Sequence, residues 1–564
     1  MEKKAKLEKY KFHVIIAIML IIYGISIAPK ELQNDTFYTI KVGEYITQNG
    51  IGNLKEDPFS WHELPYTFPH WLYDISIYGI YYVGGMLGIY ISTIVLTCIL
   101  SLAIYFTSNK ISKNAPISAI ITFIAIYLMQ PYLAARAQLV TFSFMVLTIY
   151  LIEKFLEKGE KKYAIALILD SLLIVNLHMA VWPFFFVIFL PYFFEYVVSC
   201  NIFTVDLIIK LKIFWEKYKG KEGYQERISE LEKKIQENKI KRSELQKNPY
   251  KIKVTRNDNV KKLFLVVVIC ACMGIFTPTG LTTPYTYLYK TMSGNTMQVI
   301  NEHMPLDLQA NKDFVAFFIM FIVVLTFIDI KIDLKHLCYY LGILYLALKA
   351  RRQVSMFLVI CTPILCKLIA EIFEKYSPKL QDKIISIVNN FYSKVVLITV
   401  IIIIGIQNFK TKINLKYYNN ANYPIYASEW IKQNLDYKNI KLFNEYNYGS
   451  YLLFEGIPVM IDSRCDLYTP QYNTKTENPK DGEDIFMDVQ NVATGEAKYE
   501  EIFEKYGVTH VITYSDSSLS KKLKTDLKYK KIYPTTEEEK EQDNRFVIYE
   551  RINDDNEENT IDTK

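Results

Sequence analysis

The chain alternates long apolar runs with strongly charged stretches. The runs fall near 13–28, 86–106, 117–134, 139–155, 163–180, 182–199, 262–280, 313–330, 334–350, 353–373 and 392–408. A stretch of about eighteen or more apolar residues matches the hydrocarbon thickness of a bilayer. The pattern therefore predicts an α-helical polytopic membrane protein of about eleven transmembrane helices. The lysine-rich Met1–Lys11 leads into the apolar run Val14–Ala28 with no A-x-A-like cleavage site behind it, which reads as a retained signal anchor.

Three polar pieces interrupt or follow the runs. A first loop, 29–85, ends in Trp71–Tyr82, whose Tyr and Ile content suits a helix lying along the membrane interface. An insert at 200–261 holds a charged helix around Gln225–Gln246, with Ile228, Leu231 and Ile235 at helical spacing, which reads either as a partner helix or as a solvated spacer. The last piece, 409–564, changes texture after the bundle of 1–408. Helices are predicted at Ala427–Leu435 and Tyr499–Tyr506, and strands at Ile440–Phe443, Ile457–Ile461, Val508–Thr513 and Arg545–Tyr549. That order predicts a small α/β domain with a disordered acidic tail.

Charge orients the chain. Lysines gather in alternate loops, at Lys3 to Lys11, Lys110 and Lys113, Lys154 to Lys162, Lys331 and Lys335, and Lys375 to Lys383, whereas 29–85 carries only Lys30, Lys41 and Lys55. Positively charged loops stay in the cytoplasm. The expectation is a multi-pass inner or plasma membrane protein with a cytoplasmic N-terminus and an extracytoplasmic C-terminal domain. The net charge of +6 is small for 564 residues and gives no sign of a nucleic-acid partner. Most of the eight cysteines lie inside or at the end of apolar runs, with only Cys465 in the C-terminal piece, so no disulfide framework is expected.

Candidate chemistry sits at the exterior ends of the helices, because charge at membrane depth is costly. Asp35 follows the first run closely. It either caps the helix expected over Phe37–Gln48 or serves as a general base at the bilayer surface. Arg136 and Gln138, Asn176 and His178, Glu302 and His303, and Arg351 and Arg352 end other runs on the same side. Arginines there could hold a phosphate leaving group by paired charge-assisted hydrogen bonds, or could equally snorkel or pair with Asp35 or Glu302. His62, His70, Asp57 and Glu63 match no strong metal motif, so no cofactor is expected with certainty and a divalent metal stays open. In the C-terminal piece, Asp462 and Arg464 are expected to pair, and the tyrosines around Tyr448 to pack in a core rather than stack on a sugar. No P-loop, dinucleotide fingerprint or zinc-protease motif is present, which argues against ATP-driven transport within this chain.

Several blocks together carry a resemblance. Asp35, then Lys41-Val42-Gly43-Glu44-Tyr45-Ile46, Asp57-Pro58-Phe59-Ser60 and His70-Trp71-Leu72, resemble large bacterial membrane proteins of the C-class (GT-C) glycosyltransferase type. Arg136-Ala137-Gln138, Asn176-Leu177-His178, Ala350-Arg351-Arg352, Tyr448-Gly449-Ser450-Tyr451 and Asp462-Ser463-Arg464 look like later blocks of the same pattern. The resemblance covers about 29–560 apart from the insert. It implies a GT-C bundle that moves a sugar from a polyprenyl-phosphate carrier to an exterior glycan, lipid or protein acceptor. Asp35 becomes the catalytic acid/base, and Arg136, Gln138, His178, Glu302, Arg351, Arg352, His70 and Trp71 the substrate-binding set. Many members show paired acids where this chain has Asn34 beside Asp35, a departure that implies metal-independent chemistry or a scaffold without activity. The alternatives from other classes are a non-enzymatic transporter or flippase of lipid-linked glycans, and a membrane assembly protein.

Overall fold

The computed structural model describes residues 2–53, 56–199, 205–220, 223–247, 252–292, 296–327, 330–474 and 481–552. The expected acidic tail falls at 553–564, outside the described residues. Helices dominate. The first half holds α1 (Glu2–Ile27), α2 (Asn34–Asn49), α3 (Trp71–Ser112), α4 (Ala115–Met129), α5 (Ala137–Lys158), α6 (Lys161–Leu177), α7 (Trp182–Val187) and α8 (Leu190–Ser199). Helices α9 (Val205–Lys219) and α10 (Tyr224–Lys247) form a hairpin, and β1 (Ile252–Lys253) follows it. The bundle resumes with α11 (Asn259–Cys272), α12 (Thr283–Met292), α13 (Thr296–Val299) and α14 (Lys312–Phe327). It continues through β2 (Ile332–Asp333), α15 (Leu334–Lys349), α16 (Gln353–Tyr376), α17 (Leu380–Asn389) and α18 (Phe391–Ile413).

Each of the eleven predicted spans coincides with helix, and seven of them meet the length and apolarity of a full membrane crossing on their own. Among the described residues seven helical segments are long and apolar enough to cross a membrane: Lys3–Ile27, Trp71–Ser112, Ala115–Tyr132, Ala137–Lys158, Met179–Ser199, Gln353–Tyr376 and Phe391–Ile413. Helices α6, α11, α14 and α15 are shorter, at 17, 14, 16 and 16 residues. Helix α3 joins two predicted pieces. The segment from Trp71 runs into the span through a break at Gly85, where φ is 56° and ψ is −149°, a conformation open to glycine.

The C-terminal part carries α19 (Ile425–Asn434), β3 (Leu442–Phe443), α20 (Tyr446–Phe454), α21 (Pro470–Asn473), α22 (Ile485–Thr494) and α23 (Tyr499–Tyr506). After these come β4 (His510–Tyr514), α24 (Ser518–Leu523), β5 (Tyr529–Tyr533), α25 (Glu537–Gln542) and β6 (Phe546–Arg551). The sheet runs β3-β4-β6-β5, with β3 parallel to β4 and the other pairs antiparallel. The expected strand at Ile457–Ile461 is instead a single parallel bridge from Val459 to Ser60, and β5 was not foreseen. Alternate residues leave opposite faces of a strand, so Ile512, Phe546 and Ile548 pack toward α2 while Val511, Val547 and Tyr549 pack toward α22 and α23. This puts α2 in the core of the C-terminal part. Phe37 is buried among Tyr418, Tyr423, Tyr451 and Phe454, with ring centroids 4.9–5.6 Å away.

A buried charge cluster completes the joint. Arg464 donates to Asp57 at 2.6 and 3.2 Å and to Asp462 at 2.9 and 2.6 Å. Its guanidinium stands 4.8 Å from the ring centre of Tyr66 and 5.2 Å from that of Phe59. The expected Asp462–Arg464 pair forms, and Asp57 is recruited to it from 407 residues away. Replacing Arg464 by Met would leave two carboxylates buried without a counter-charge, which costs about 3–5 kcal/mol. The detergent-solubilised R464M chain should unfold well below the parent on heating. R464K, which lacks the planar fork, should recover only part of the loss.

Candidate active site

Where the bundle meets the C-terminal part lies a cavity of about 1110 Å³. One wall is the start of α2, held in place from both sides. The Thr36 hydroxyl donates to the Ala135 carbonyl at 3.1 Å, and the Asn34 amide donates to the Tyr446 carbonyl at 2.9 Å. Asp35 therefore enters the cavity from the first turn of a fixed helix. The sequence reading of Asp35 as an N-cap is corrected here, because the helix starts at Asn34 and the capping position is Gln33.

The side chain of Asp35 meets Arg136, which occupies the capping position before α5. Arg136 also reaches Glu302 at 3.2 Å and the Gln33 side-chain oxygen at 3.3 Å. One guanidinium thus bridges two carboxylates. Burial raises the Asp35 carboxyl above its ordinary range; Arg136 opposes that rise and Glu302 adds to it. Burial also works against the charge on Arg136, but Asp35 and Glu302 outweigh it and raise its pKa further.

Arg352, between α15 and α16, stands next to this group. Its guanidinium donates to Nε2 of His303 at 2.9 Å, and its backbone N–H donates to the Glu302 carbonyl at 3.0 Å. Burial, reinforced by Arg352, lowers the pKa of His303 to about 4, so the ring is neutral and accepts this bond. Arg352 forms no ion pair with a carboxylate among the described residues.

Most of the sequence-derived set converges. Asp35, His70, Arg136, Gln138, His178, Glu302, His303 and Arg352 all line the cavity. The rings of His70 and His178 lie 5.3 Å apart, edge to face. Two members lie elsewhere. Trp71 donates from its indole to Asn176 at 2.9 Å outside the cavity. Arg351 lines a separate pocket of about 170 Å³ with Gln33, Arg136, Glu302 and Arg352, and donates to the Pro305 carbonyl and the Asn301 side chain. The residues considered for a metal are scattered. Asp57 is paired with Arg464, the His62 ring lies against Trp61 with centroids 4.0 Å apart, and His70 faces His178. Among the described residues no three His, Cys, Asp or Glu side chains are grouped to hold a metal ion. The two acids nearest each other in the cavity are bridged by Arg136 rather than open to a cation.

Sequence reasoning missed the roof. Tyr446, Asn447, Ser463, Cys465, Asp466 and Tyr472 come down from the C-terminal part, and Lys349 joins the wall at the end of α15. Asp466 accepts from Tyr287 and Thr291, each at 3.1 Å, tying the roof to α12. Ser463 stands in the Asp462-Ser463-Arg464 block of the resemblance, but only tertiary folding brings these groups to Asp35. The side facing the bundle is apolar, with Phe142, Val181, Phe184, Val187, Leu346 and Met356.

No protein-family profile and no curated protein matches the chain. Solved structures do. One is the archaeal oligosaccharyltransferase AglB from Archaeoglobus fulgidus in complex with an inhibitory peptide and a dolichol-phosphate. It is similar at 12% identity with a TM-score of 0.52, over 90% of this chain and 70% of that one. The Archaeoglobus fulgidus oligosaccharyltransferase tethered to an acceptor peptide matches at 12% identity and a TM-score of 0.53, over 89% and 69%. At this identity the likeness establishes architecture: the chain has a GT-C-like membrane fold.

Proposed function

We propose that this chain is a membrane glycosyltransferase that takes a sugar from a polyprenyl-phosphate carrier and passes it to a hydroxyl acceptor. The observation that carries the reading is that Asp35, Arg136, Glu302 and Arg352 face one cavity, polar under the roof and apolar toward the bundle. A volume of about 1110 Å³ lies just above the ~300–1,000 Å³ typical of single-ligand pockets, giving room for a donor head group and an acceptor together. The apolar side accommodates the first isoprene units of the carrier. The solved relatives of the same architecture include one bound to a dolichol-phosphate and another tethered to an acceptor peptide, which supports a lipid-linked donor and a separate acceptor.

In the proposed reaction Asp35 takes the proton of the acceptor hydroxyl as its oxygen attacks the anomeric carbon. The bond from that carbon to the phosphate oxygen breaks, and the lipid phosphate leaves with the electron pair, inverting the centre. Arg352, with Lys349 close by, balances the charge that grows on the leaving phosphate, and Arg136 holds the Asp35 carboxylate at the attack position. The cavity opens on the face remote from the lysine-rich loops, which under the positive-inside rule is the extracytoplasmic face.

The direct test replaces Asp35 by Asn and follows sugar transfer from labelled polyprenyl-phosphate donors. Loss of general-base catalysis should lower the rate about 10²–10⁴-fold. Undiminished transfer at normal expression would remove Asp35 from the mechanism, and donor translocation without transfer would point to the flippase instead. A base must be ionised, so the parent rate should climb as pH rises through a limb above the ordinary carboxylate range and then level off. R136Q removes the cation that opposes the shift and should move the limb to higher pH; E302Q removes an acid that adds to it and should move the limb lower. R352A should cost transfer efficiency by about 1.5–3 kcal/mol, the worth of a hydrogen bond to a charged group, seen as a fall in kcat/KM.

A further inference from the structure

Helix α9 has two differently committed faces. Ile209 turns inward and is 6% exposed, and Ile228 of α10 is 8% exposed. The Glu216–Arg227 ion pair, at 2.9 Å, ties the two helices on that side. The other face carries Ile208, Leu211, Phe214, Trp215 and Tyr218, at the three- and four-residue steps of one helical stripe. Every one is open: Phe214 is 67%, Trp215 53% and Tyr218 77% exposed. The stripe spans an arc of about 120° at 100° per residue. Lys210 and Lys217 lie along one border, Lys212 and Lys219 along the other, and the stripe itself contains no acid. The Lys219 ammonium sits 5.3 Å from the Trp215 ring centre.

Placement makes this pattern specific. Helix α9 begins six residues after Ser199, the end of a segment long and apolar enough to span the membrane, so its start lies within about 22 Å of that exit. The exit is at the bundle end away from the cavity. Near it the Thr255 N–H donates to Glu195 at 3.3 Å, and Tyr192 and Lys335 both meet Glu153 of α5, whose other end carries Arg136. Fifteen residues with four lysines cannot span a bilayer, but an apolar stripe bordered by snorkelling lysines fits its interface.

We infer that α9 lies on the membrane leaflet opposite the cavity, with Ile208, Leu211, Phe214, Trp215 and Tyr218 among the acyl chains and its four border lysines against anionic head groups. The hairpin is then a lipid-reading foot of the bundle, not a free spacer.

The test uses the full chain in nanodiscs of phosphatidylcholine alone, or of phosphatidylcholine mixed with phosphatidylglycerol. The fluorescence of Trp215 is isolated by difference from W215F. In the anionic discs Trp215 should be quenched by brominated acyl chains and shielded from aqueous acrylamide, with weaker shielding in phosphatidylcholine alone. K212Q should weaken the bilayer-bound state about five-fold, as loss of one basic residue near an anionic surface predicts. High salt on the unaltered chain should act the same way, which guards against a misfolded variant. Trp215 open to acrylamide and untouched by brominated lipid in both discs would overturn the inference, whether water or a protein partner covers the stripe. Equal shielding in both lipids with no salt effect would overturn the anionic preference.

Discussion

The site depends on one buried guanidinium. Arg464 sits between Asp57, from the loop before α3, and Asp462, from the C-terminal part, and both acids are sealed from water. A lone charge at that depth would cost several kcal/mol, and two lone carboxylates more. The three side chains are thus tolerable only together, and bringing them together fixes how the roof sits on the bundle. Asp462 also accepts from the Tyr468 hydroxyl at 2.6 Å, so no oxygen facing Arg464 is wasted. The apolar half of the same joint is Phe37 among its aromatic neighbours. Since Phe37 lies two residues beyond Asp35 on α2, the packing that closes the roof also sets the position of the acid.

Inside the cavity the charges are sorted rather than cancelled. Asp35, Arg136 and Glu302 share one guanidinium between two carboxylates and keep one negative charge in excess. Arg352 leans on a neutral imidazole and keeps its positive charge unpaired by any acid among the described residues. In partly dry surroundings such separated charges interact more strongly than in water. Proton removal by one group and stabilisation of an anionic leaving group by another are the two demands of the proposed transfer, and the distribution suits both. The departure at Asn34 fits this arrangement. Asn34 spends its amide on the Tyr446 carbonyl, a structural bond a second acid could not donate.

Much of this was legible in one dimension, and the reasons differ from element to element. Hydropathy located the apolar helices among the described residues, because bilayer burial imposes length and composition on contiguous residues; α6, α11, α14 and α15 are shorter than the other predicted spans. Charged residues next to apolar runs marked Asp35, Arg136, Glu302 and Arg352, since an ionisable group there is expensive without a purpose. Arg351 carried the same local mark and Trp71 came in with the His70-Trp71-Leu72 block of the resemblance, yet one turns to Asn301 and the other to Asn176, a choice made by rotamer and neighbour rather than by sequence position. Of the roof residues Ser463 stood in a block of the resemblance, and none was expected at the site. Tyr446, Asp466 and Tyr472 read as ordinary members of a small α/β domain, and only the Arg464 joint turns them toward Asp35.

The two ends of the bundle obey one electrostatic rule with opposite results. At the end away from the cavity the α9 lysines Lys210, Lys212, Lys217 and Lys219 stand as exposed, singly charged groups that a leaflet can attract and water can hydrate. At the cavity end Lys349 is joined by arginines, whose planar forks are held by Asp35, Glu302, Asn301 and His303. A mobile ammonium serves to orient or anchor a chain against a fluid surface, because it needs no fixed partner. A substrate phosphate needs donors already in place, because reorganisation at the moment of reaction would consume the stabilisation they offer. The fixed arginine forks under the roof that Arg464 holds therefore meet the demand of the proposed transfer, and the exposed lysines of α9 meet that of the inferred membrane contact.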